Sequence, residues 1–232
     1  MRVLVVQNFV DTGLGQVGAA LAEAGAEIDR CCAHLGEALP ADAGGHDAMV
    51  MLGGGQNAID DDHSPYFPQL VELARDFVGK DKAVLGICLG SQLLARAFGG
   101  ENRIGCATEF GWHGISLTQE AQDDPVFADL PEGFPIFQWH DDTFTLPEGA
   151  VRLASSPVAD NQAFRVGRAG YGVQFHFEAD RALVRDWNEA FAAVIARRNP
   201  DWPERHGAEA ARHGPDADAV GLALARAWVA AI

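Results

Sequence analysis

An apolar segment of the chain runs without a break into a cysteine, and a helical pattern begins directly after it. The segment is residues 83–87, the cysteine is Cys88, and the helical pattern covers residues 89–98. A reactive side chain at a strand-to-helix turn stands at the edge of a parallel sheet, where small neighbours relieve crowding. Gly86 and Gly90 are those neighbours. The junction therefore predicts an α/β fold with Cys88 at the carboxyl end of its strand, at the top of the sheet.

The rest of the first half alternates in the same way. Apolar runs favour strands at residues 3–9, 27–33 and 47–52, and helical spacing favours helices at residues 13–24 and 65–78. Alternating strands and helices indicate a parallel sheet that is covered on both faces. We therefore expect a mostly parallel central sheet flanked by helices.

The pattern changes after about residue 107. Short apolar segments separated by turn residues favour added antiparallel strands at residues 114–118, 135–139, 151–155, 162–166 and 171–177. Residues 180–198 are helical in pattern, Pro200 and Pro203 break it, and residues 216–232 favour a final helix. Trp187, Phe191, Val194 and Ile195 have helical spacing and are predicted to be core. We predict one domain over residues 1–198 and a helical extension packed on it over residues 199–232.

Composition narrows the classes of partner. The formal net charge of −16 argues against binding to nucleic acid or to an anionic membrane, since both need clustered Lys and Arg. No stretch has the roughly 18 apolar residues that span a bilayer. The four cysteines have no metal-ligand spacing and are typical of a reducing compartment, so we expect a cytoplasmic protein with no metal and no cofactor.

Cys88 is the candidate nucleophile. A thiol at a helix N-terminus meets the positive end of the helix dipole, which favours the thiolate. The N–H group of Leu89 would point to where an oxyanion forms. The alternative is a buried structural cysteine, which is the more common fate of a lone cysteine. We expect that fate for Cys31, Cys32 and Cys106, which lack this context.

A cysteine nucleophile needs a base, and His176 is the first candidate. It lies at the end of an apolar strand two residues before Glu178, and residues two apart on a strand share one face. Glu178 is thus predicted to orient the imidazole. His140 is the rival, with Asp142 two residues later, and we interpret it as a substrate-orienting residue. His113 is a further residue that could line a pocket.

Three glycines follow the strand at residues 47–52. Loops at the carboxyl ends of neighbouring parallel strands form the ligand crevice of a doubly wound sheet. Glycines there let backbone N–H groups approach an oxyanion without obstruction. We predict that Gly54, with Leu89, forms an oxyanion hole and that Gly53 and Gly55 line the substrate site. A phosphate-binding loop is the alternative, but no Walker-type lysine follows.

These segments resemble the class I glutamine amidotransferases, whose triad is Cys, His and Glu. Residues 86–92 (Gly-Ile-Cys-Leu-Gly-Ser-Gln) resemble the family's nucleophile motif, and residues 174–178 (Gln-Phe-His-Phe-Glu) resemble its His-x-Glu motif. Residues 109–112 and 139–144 are similar to the stand-alone branch related to the amidotransferase domain of GMP synthase. The resemblance implies the flavodoxin-like amidotransferase fold and a glutamyl-binding role for Gln92, and it places Trp139, His140 and Asp141 at the substrate.

Three positions depart from the family pattern. Gly55 replaces a common Pro, Phe177 replaces the commoner Pro between His and Glu, and Asp141 replaces a frequent Gly. None of them belongs to the triad. Gly55 and Asp141 are expected to affect how the amino-acid end of the substrate is held.

The resemblance implies hydrolysis of the γ-amide of glutamine, or of another γ-glutamyl compound, through a γ-glutamyl thioester. One hypothesis is a glutaminase that supplies ammonia to a separate synthase subunit. A second is a stand-alone γ-glutamyl peptidase acting on glutathione-like substrates, an activity of some relatives in that branch. A third, from another class, is a catalytically silent binding module.

Overall fold

The computed structural model describes all residues from 1 to 232. Its strands are β1 Arg2–Val6, β2 Glu27–Cys31, β3 Ala48–Met51, β4 Ala83–Ile87, β5 Asn102–Arg103, β6 Glu109–Leu117, β7 Gly133–His140, β8 Thr143–Phe144, β9 Val151–Ser155, β10 Ala163–Val166 and β11 Gly170–Val173. Its α-helices are α1 Gly15–Glu23, α2 Phe67–Gly79, α3 Leu89–Ala97, α4 Arg181–Ala190, α5 Ala192–Arg198 and α6 Trp202–Ala230.

Nine strands form the central sheet, in the order β2-β1-β3-β4-β11-β10-β9-β6-β7. Neighbours from β2 to β11 pair in parallel, and neighbours from β11 to β7 pair antiparallel. The strands β5 and β8 form a separate antiparallel pair. The predicted α/β fold, a central parallel sheet with added antiparallel strands and a C-terminal helix, is confirmed. β11 joins the two halves, and it lies directly beside β4.

Both faces of the sheet are buried, as a parallel sheet requires. Successive residues of β1 show this: Val3 and Val5 belong to one hydrophobic core, while Leu4 and Val6 belong to the other. The helices α1 and α6 contribute to the first core, and α2 and α3 contribute to the second. The carboxyl ends of β3 and β4 therefore open between two layers of helices.

Two of the predicted strands extend three or more residues beyond the observed ends. The strand predicted at residues 3–9 ends at Val6, and the one predicted at residues 171–177 ends at Val173. In each case the chain continues into a loop whose side chains are buried or half-buried beyond the carboxyl ends of the strands. The apolar pattern reflects the burial of these side chains. It does not show that the residues pair with a neighbouring strand.

The helical pattern of the C-terminal part was also misread. Residues 180–198 form two helices with a break at Phe191, and the predicted break at Pro203 is wrong. Pro203 lies in the first turn of α6, where a missing N–H group costs nothing because that turn has no intrahelical acceptor. The helix continues through Pro215, so the last helix begins at Trp202 and not at residue 216.

The helix α6 packs against α1 on one side and against β6 and β7 on the other. Trp202 is fully buried, and its ring lies 4.9 Å from Phe110 and 5.8 Å from Trp112, centroid to centroid. The division into residues 1–198 and 199–232 stays a prediction. None of the helices combines the length and the apolar character that crossing a membrane requires.

Candidate active site

Cys88 occupies the turn between β4 and α3 in an unusual backbone conformation. Its φ is +51° and its ψ is −111°, in a region that residues with a side chain rarely adopt. The N–H group of Cys88 donates to the carbonyl of Val173 at 2.8 Å, which ties the turn to β11. Strained backbone of this kind persists only where the surroundings fix it, and it is concentrated at functional sites.

The two glycines that flank Cys88 are required by close backbone contacts. A Cβ atom at Gly86 would lie 2.3 Å from the Gly90 carbonyl oxygen, and one at Gly90 would lie 2.1 Å from the Met51 carbonyl oxygen. Both distances are shorter than any real carbon–oxygen contact. The sharp turn is thus possible only with glycine at both positions.

His176 and Glu178 lie in the loop after β11, not on the strand that the sequence predicted. Nδ1 of His176 is nevertheless 2.6 Å from Oε1 of Glu178, and both side chains are buried. The backbone N–H of His176 donates to the Phe137 carbonyl at 2.8 Å, which anchors the loop to β7. The side-chain pairing was predicted correctly, but the strand geometry given as its cause was wrong.

The charge state of His176 is set by its neighbours. Burial of the imidazole opposes a positive charge, but the charges of Glu178 and Cys88 outweigh burial and raise the pKa of His176 to about 10. A protonated imidazole and a helix N-terminus are surroundings that favour a thiolate. The imidazole beside Cys88 can therefore act as a proton donor at neutral pH.

The glycine loop after β3 brings these groups together. A Cβ atom at Gly53 would lie 3.3 Å from Cε1 of His176 and 3.5 Å from Cβ of Cys88, so both side chains flank this one residue. The N–H group of Gly54 donates to no acceptor in the protein. Leu89 is the first residue of α3, where N–H groups have no intrahelical acceptor. Two N–H groups are thus available beside Cys88.

These residues line a cavity of about 300 Å³. It is bounded by residues at or just after the carboxyl ends of β1, β3, β4, β7 and β11, and by one face of α4 and α5. The lining residues are Phe9, Thr12, Gly13, Leu52, Gly53, Gly54, Gly55, Cys88, Trp139, His176, Glu178, Trp187, Phe191, Val194 and Arg198.

The predicted substrate-binding residues divide into two groups. Gly53, Gly55 and Trp139 line the cavity, and Sγ of Cys88 lies 3.7 Å from the Trp139 carbonyl oxygen. Asp141 does not line it, but its carboxylate forms an ion pair with Arg198, which does.

Gln92 and His140 do not line the cavity. Gln92 is buried and donates from Nε2 to Oε1 of Gln174 at 3.1 Å. His140 is buried between the Asp142 carbonyl oxygen, 2.9 Å from Nδ1, and the Glu109 carboxylate, 3.2 Å from Nε2. The carboxylate partner of His140 thus comes from β6 and not from the side chain of Asp142. Direct substrate contact by these two residues stays a prediction that the geometry does not favour.

Glu109 belongs to a buried polar network behind the cavity. Its Oε2 accepts hydrogen bonds from Ser156 at 2.9 Å and from Gln162 at 2.6 Å, in addition to the contact with His140. Burial opposes ionisation, but the hydrogen bonds from His140 and Ser156 outweigh it and lower the pKa of Glu109 below its ordinary value. The charge of Glu109 fixes His140, and through it the end of β7.

Sequence reasoning missed part of the cavity wall. Trp187, Phe191 and Val194 were predicted to be core, yet all three line the cavity, and Trp187 belongs to the core as well. Of the four residues, only Ile195 lies in the hydrophobic core without also lining the cavity. The available signal was Arg198, which continues the same helical stripe with a charge. Phe9 gave no comparable signal.

The remaining candidate residues lie elsewhere. His113 is half-buried, and its Nε2 contacts the Phe110 carbonyl at 2.9 Å, so it does not line the cavity. Cys31, Cys32 and Cys106 are free thiols outside the cavity. Cys31 is buried as predicted, but the prediction was wrong for Cys32, which is half-buried, and for Cys106, which is exposed because it lies in the loop before β6. His, Cys, Asp and Glu side chains nowhere gather in groups of three or more that could hold a metal ion.

Known proteins are similar to this chain in sequence. The sequence profile of the family Glutamine amidotransferase class-I matches residues 19–183. The glutamine amidotransferase-like protein YfeJ of Salmonella typhimurium is 33% identical over 71% of this chain and 72% of its own length. GMP synthase [glutamine-hydrolyzing] of Thermosipho melanesiensis is 31% identical over 66% of this chain, but over only 28% of its own length.

A solved structure of a glutamine amidotransferase is similar to this chain in fold. The crystal structure of a glutamine amidotransferase from Thermotoga maritima matches with a TM-score of 0.84 and 28% identity, over 99% of this chain and 96% of that one. The similarity therefore extends through the C-terminal helices, beyond the region that the sequence profile matches. This chain belongs to the class I glutamine amidotransferase family.

Proposed function

We propose that this chain hydrolyses the γ-amide of glutamine or of a γ-glutamyl compound, with Cys88 as nucleophile, His176 as acid and base, and Glu178 as the group that orients His176. The observation that carries the proposal is the convergence of Cys88 and the buried His176–Glu178 pair on Gly53. A nucleophile beside a base that a third group orients is the general arrangement for covalent catalysis of acyl transfer.

The reaction has two steps. The Cys88 thiolate attacks the γ-carbonyl carbon, a C–S bond forms, and the C–N bond then breaks as His176 protonates the departing nitrogen. Water next attacks the γ-glutamyl thioester while His176 takes one of its protons. The C–S bond breaks, glutamate leaves, and the thiolate beside the imidazolium is restored. Every group that these steps require is supplied by the protein or by water, so no metal or organic cofactor enters.

The tetrahedral intermediate of each step carries an oxyanion. The N–H groups of Gly54 and Leu89 are the proposed donors, because Gly54 has no other acceptor and Leu89 begins α3 beside the sulfur. Donors fixed before the reaction stabilise developing charge without reorganising, and one such donor is worth about 10²–10³-fold in kcat.

The substrate-binding residues take different roles in this proposal. Gly53, Gly55 and Trp139 contact the substrate, since they line the cavity. Gln92 and His140 act as positioning residues, because Gln92 bonds Gln174 in the His176 loop and His140 fixes the end of β7. Asp141 acts through Arg198.

Two settings for this chemistry differ in their need for a partner. The GMP synthase of Thermosipho melanesiensis extends far beyond the region shared with this chain, which supports a glutaminase that works with a separate ammonia-accepting synthase subunit. The Salmonella typhimurium relative and the Thermotoga maritima structure are similar to this chain over most of their lengths, which supports a self-sufficient γ-glutamyl hydrolase.

The test is glutamate release by the purified chain alone, from glutamine, a γ-glutamyl dipeptide and glutathione. Replacing Cys88 by Ala should reduce release by about 10⁴-fold or more with the fold unchanged. Cys106→Ala is the matched control, since that thiol is free and exposed outside the cavity, and it should leave release unchanged.

Release from peptides without a partner supports the self-sufficient hydrolase, and slow release from glutamine only supports the partner-dependent glutaminase. Equal release by the Cys88→Ala protein, or none by the parent protein with any substrate or partner, would refute the proposed function.

A further inference from the structure

The side chains packed beside His176 indicate which kind of amine the site releases. His176 protonates the departing nitrogen, so the amine portion of a substrate must lie on the imidazole side of Cys88. On that side Trp187 packs against the imidazole. The Trp187 ring meets the imidazole edge-on, with 5.1 Å between ring centroids, and its Nε1 donates to the Asp11 carbonyl at 3.1 Å. A leaving amine would therefore contact a fixed indole ring.

The indole is one part of a continuous aromatic wall, which we define as Phe9, Trp139, Trp187 and Phe191. Trp139 lies 6.0 Å from Trp187 and 5.5 Å from Phe191, and Phe191 lies 6.2 Å from Phe9, centroid to centroid. Trp187 is buried and the other three rings are half-buried. Ammonia, the product from glutamine, has no apolar surface to place there, whereas an aromatic ring gains from being removed from water.

A positively charged residue, Arg198, lies next to the aromatic wall in the cavity lining. Phe191, Val194 and Arg198 are spaced three and four residues apart, so they lie on one face of the helical segment, and all three line the cavity. Arg198 is the only Lys or Arg in the lining. Its ion pair with Asp141 fixes the guanidinium, and this group has five N–H donors, so donors remain for a second carboxylate.

Two positions that depart from the family pattern support this wall. A Cβ atom at Gly55 would lie 3.3 Å from the Phe9 ring, so glycine allows the ring to lie close against the loop. Asp141 holds Arg198. Both departures therefore contribute to the same wall, and neither contacts Cys88, His176 or Glu178 through a hydrogen bond.

We propose, on the basis of the proposed function, that the preferred substrates are γ-glutamyl derivatives of aromatic or large apolar amino acids. The side chain of the released amino acid packs against the aromatic wall, and its carboxylate pairs with Arg198. Cleavage follows the two steps given above: the amino acid leaves as its free amine after its nitrogen has accepted the His176 proton, and glutamate leaves by hydrolysis of the thioester.

The experiment compares kcat/KM for γ-glutamylphenylalanine, γ-glutamylglycine, γ-glutamylphenethylamide and glutamine. We expect γ-glutamylphenylalanine to exceed γ-glutamylglycine by about 10- to 100-fold, since burial of a phenyl ring is worth that factor. It should exceed the phenethylamide, which has the ring but no carboxylate, by about tenfold because a charge-assisted hydrogen bond is lost.

Two variants separate the ring from the charge. Phe191→Ala should reduce the preference for phenylalanine over glycine by about tenfold, with Phe191→Leu intermediate. Arg198→Gln should abolish the preference for γ-glutamylphenylalanine over the phenethylamide. The neighbouring Arg197→Gln is the matched control, because Arg197 is exposed and does not line the cavity, and it should change neither ratio.

The outcomes distinguish this inference from the proposed function. Cys88-dependent release from glutamine that equals or exceeds release from γ-glutamylphenylalanine would overturn the inference and leave the proposed function standing. An equal loss on all four substrates in Arg198→Gln would show that Arg198 binds the glutamyl portion, which would overturn its assigned role. No Cys88-dependent release from any of the four would overturn the inference, and the proposed function would fall with it only if a synthase partner also failed to restore release from glutamine.

Discussion

His176 and Glu178 share a hydrogen bond of 2.6 Å within a loop, although no regular secondary structure holds them at this spacing. The carboxylate fixes which imidazole nitrogen faces Cys88. We expect Glu178→Gln to reduce kcat by about 10²- to 10⁴-fold, because the amide can donate to Nδ1 and select the wrong tautomer. Steady-state kinetics with glutamine would measure this effect. The control is Glu189→Gln, an exposed residue of α4, and a fall in kcat as large in that variant would contradict the assignment.

The raised pKa of His176 predicts activity in alkaline solution. The imidazolium proton is needed by the leaving amine, and a pKa of about 10 retains it well above the ordinary range of histidine. The plot of kcat/KM against pH should therefore keep its alkaline limb near pH 10, and Glu178→Gln should move that limb to lower pH. An alkaline limb near pH 7 in the parent protein would show that the imidazole is not stabilised in this way.

The same shift predicts how stability depends on pH. The pKa of His176 is higher in the folded state than the roughly 6.5 of an unfolded chain. The stabilisation from its charge is therefore complete below about pH 6.5 and is lost as the pH rises toward about 10. Thermal unfolding in this range should show a larger decline for the parent protein than for His176→Gln, and equal slopes would count against the prediction.

The approach of Gly90 to Met51 makes the turn intolerant of any side chain. We expect Gly90→Ala to reduce the free energy of unfolding by about 1–3 kcal/mol, since backbone atoms must move to admit the methyl group. It should also reduce kcat, because α3 and the Leu89 N–H would shift together. Gly79→Ala is the matched control: it lies in α2 with open space around its Cβ position and should be neutral or stabilising. Equal denaturation midpoints for the two variants would exclude the steric explanation.

Local features such as the Cys88 turn could be predicted from the sequence, while contacts between residues far apart in the chain could not. The Cys88 turn was predicted because a strand, two glycines and a helix each leave a local pattern. The Asp141–Arg198 pair and the Glu109–His140 contact join residues far apart in sequence, and a single sequence carries no pattern that pairs distant residues. Helix boundaries near Pro203 were wrong because proline breaks a helix interior but suits a first turn.

Trp202 connects the last helix to the antiparallel half of the sheet. Its side chain is fully buried against Phe110 and Trp112, so we expect Trp202→Ala to cost about 3–5 kcal/mol in the free energy of unfolding. Chemical denaturation would measure the loss, with Leu35→Ala as the control because that side chain is 75% exposed. A change below 1 kcal/mol would show that α6 is only loosely attached.

The contact between α6 and the His176 loop links catalysis to the order of synthesis. A Cβ atom at Gly221 would lie 2.3 Å from the carbonyl oxygen of Phe177, the residue between His176 and Glu178, so the helix backbone lies directly against that loop. On a ribosome, Cys88, His176 and Glu178 are all made before this support exists. A nascent chain would therefore carry every proposed catalytic group and still lack a rigid site, and the proposed amide cleavage would begin only once α6 has docked.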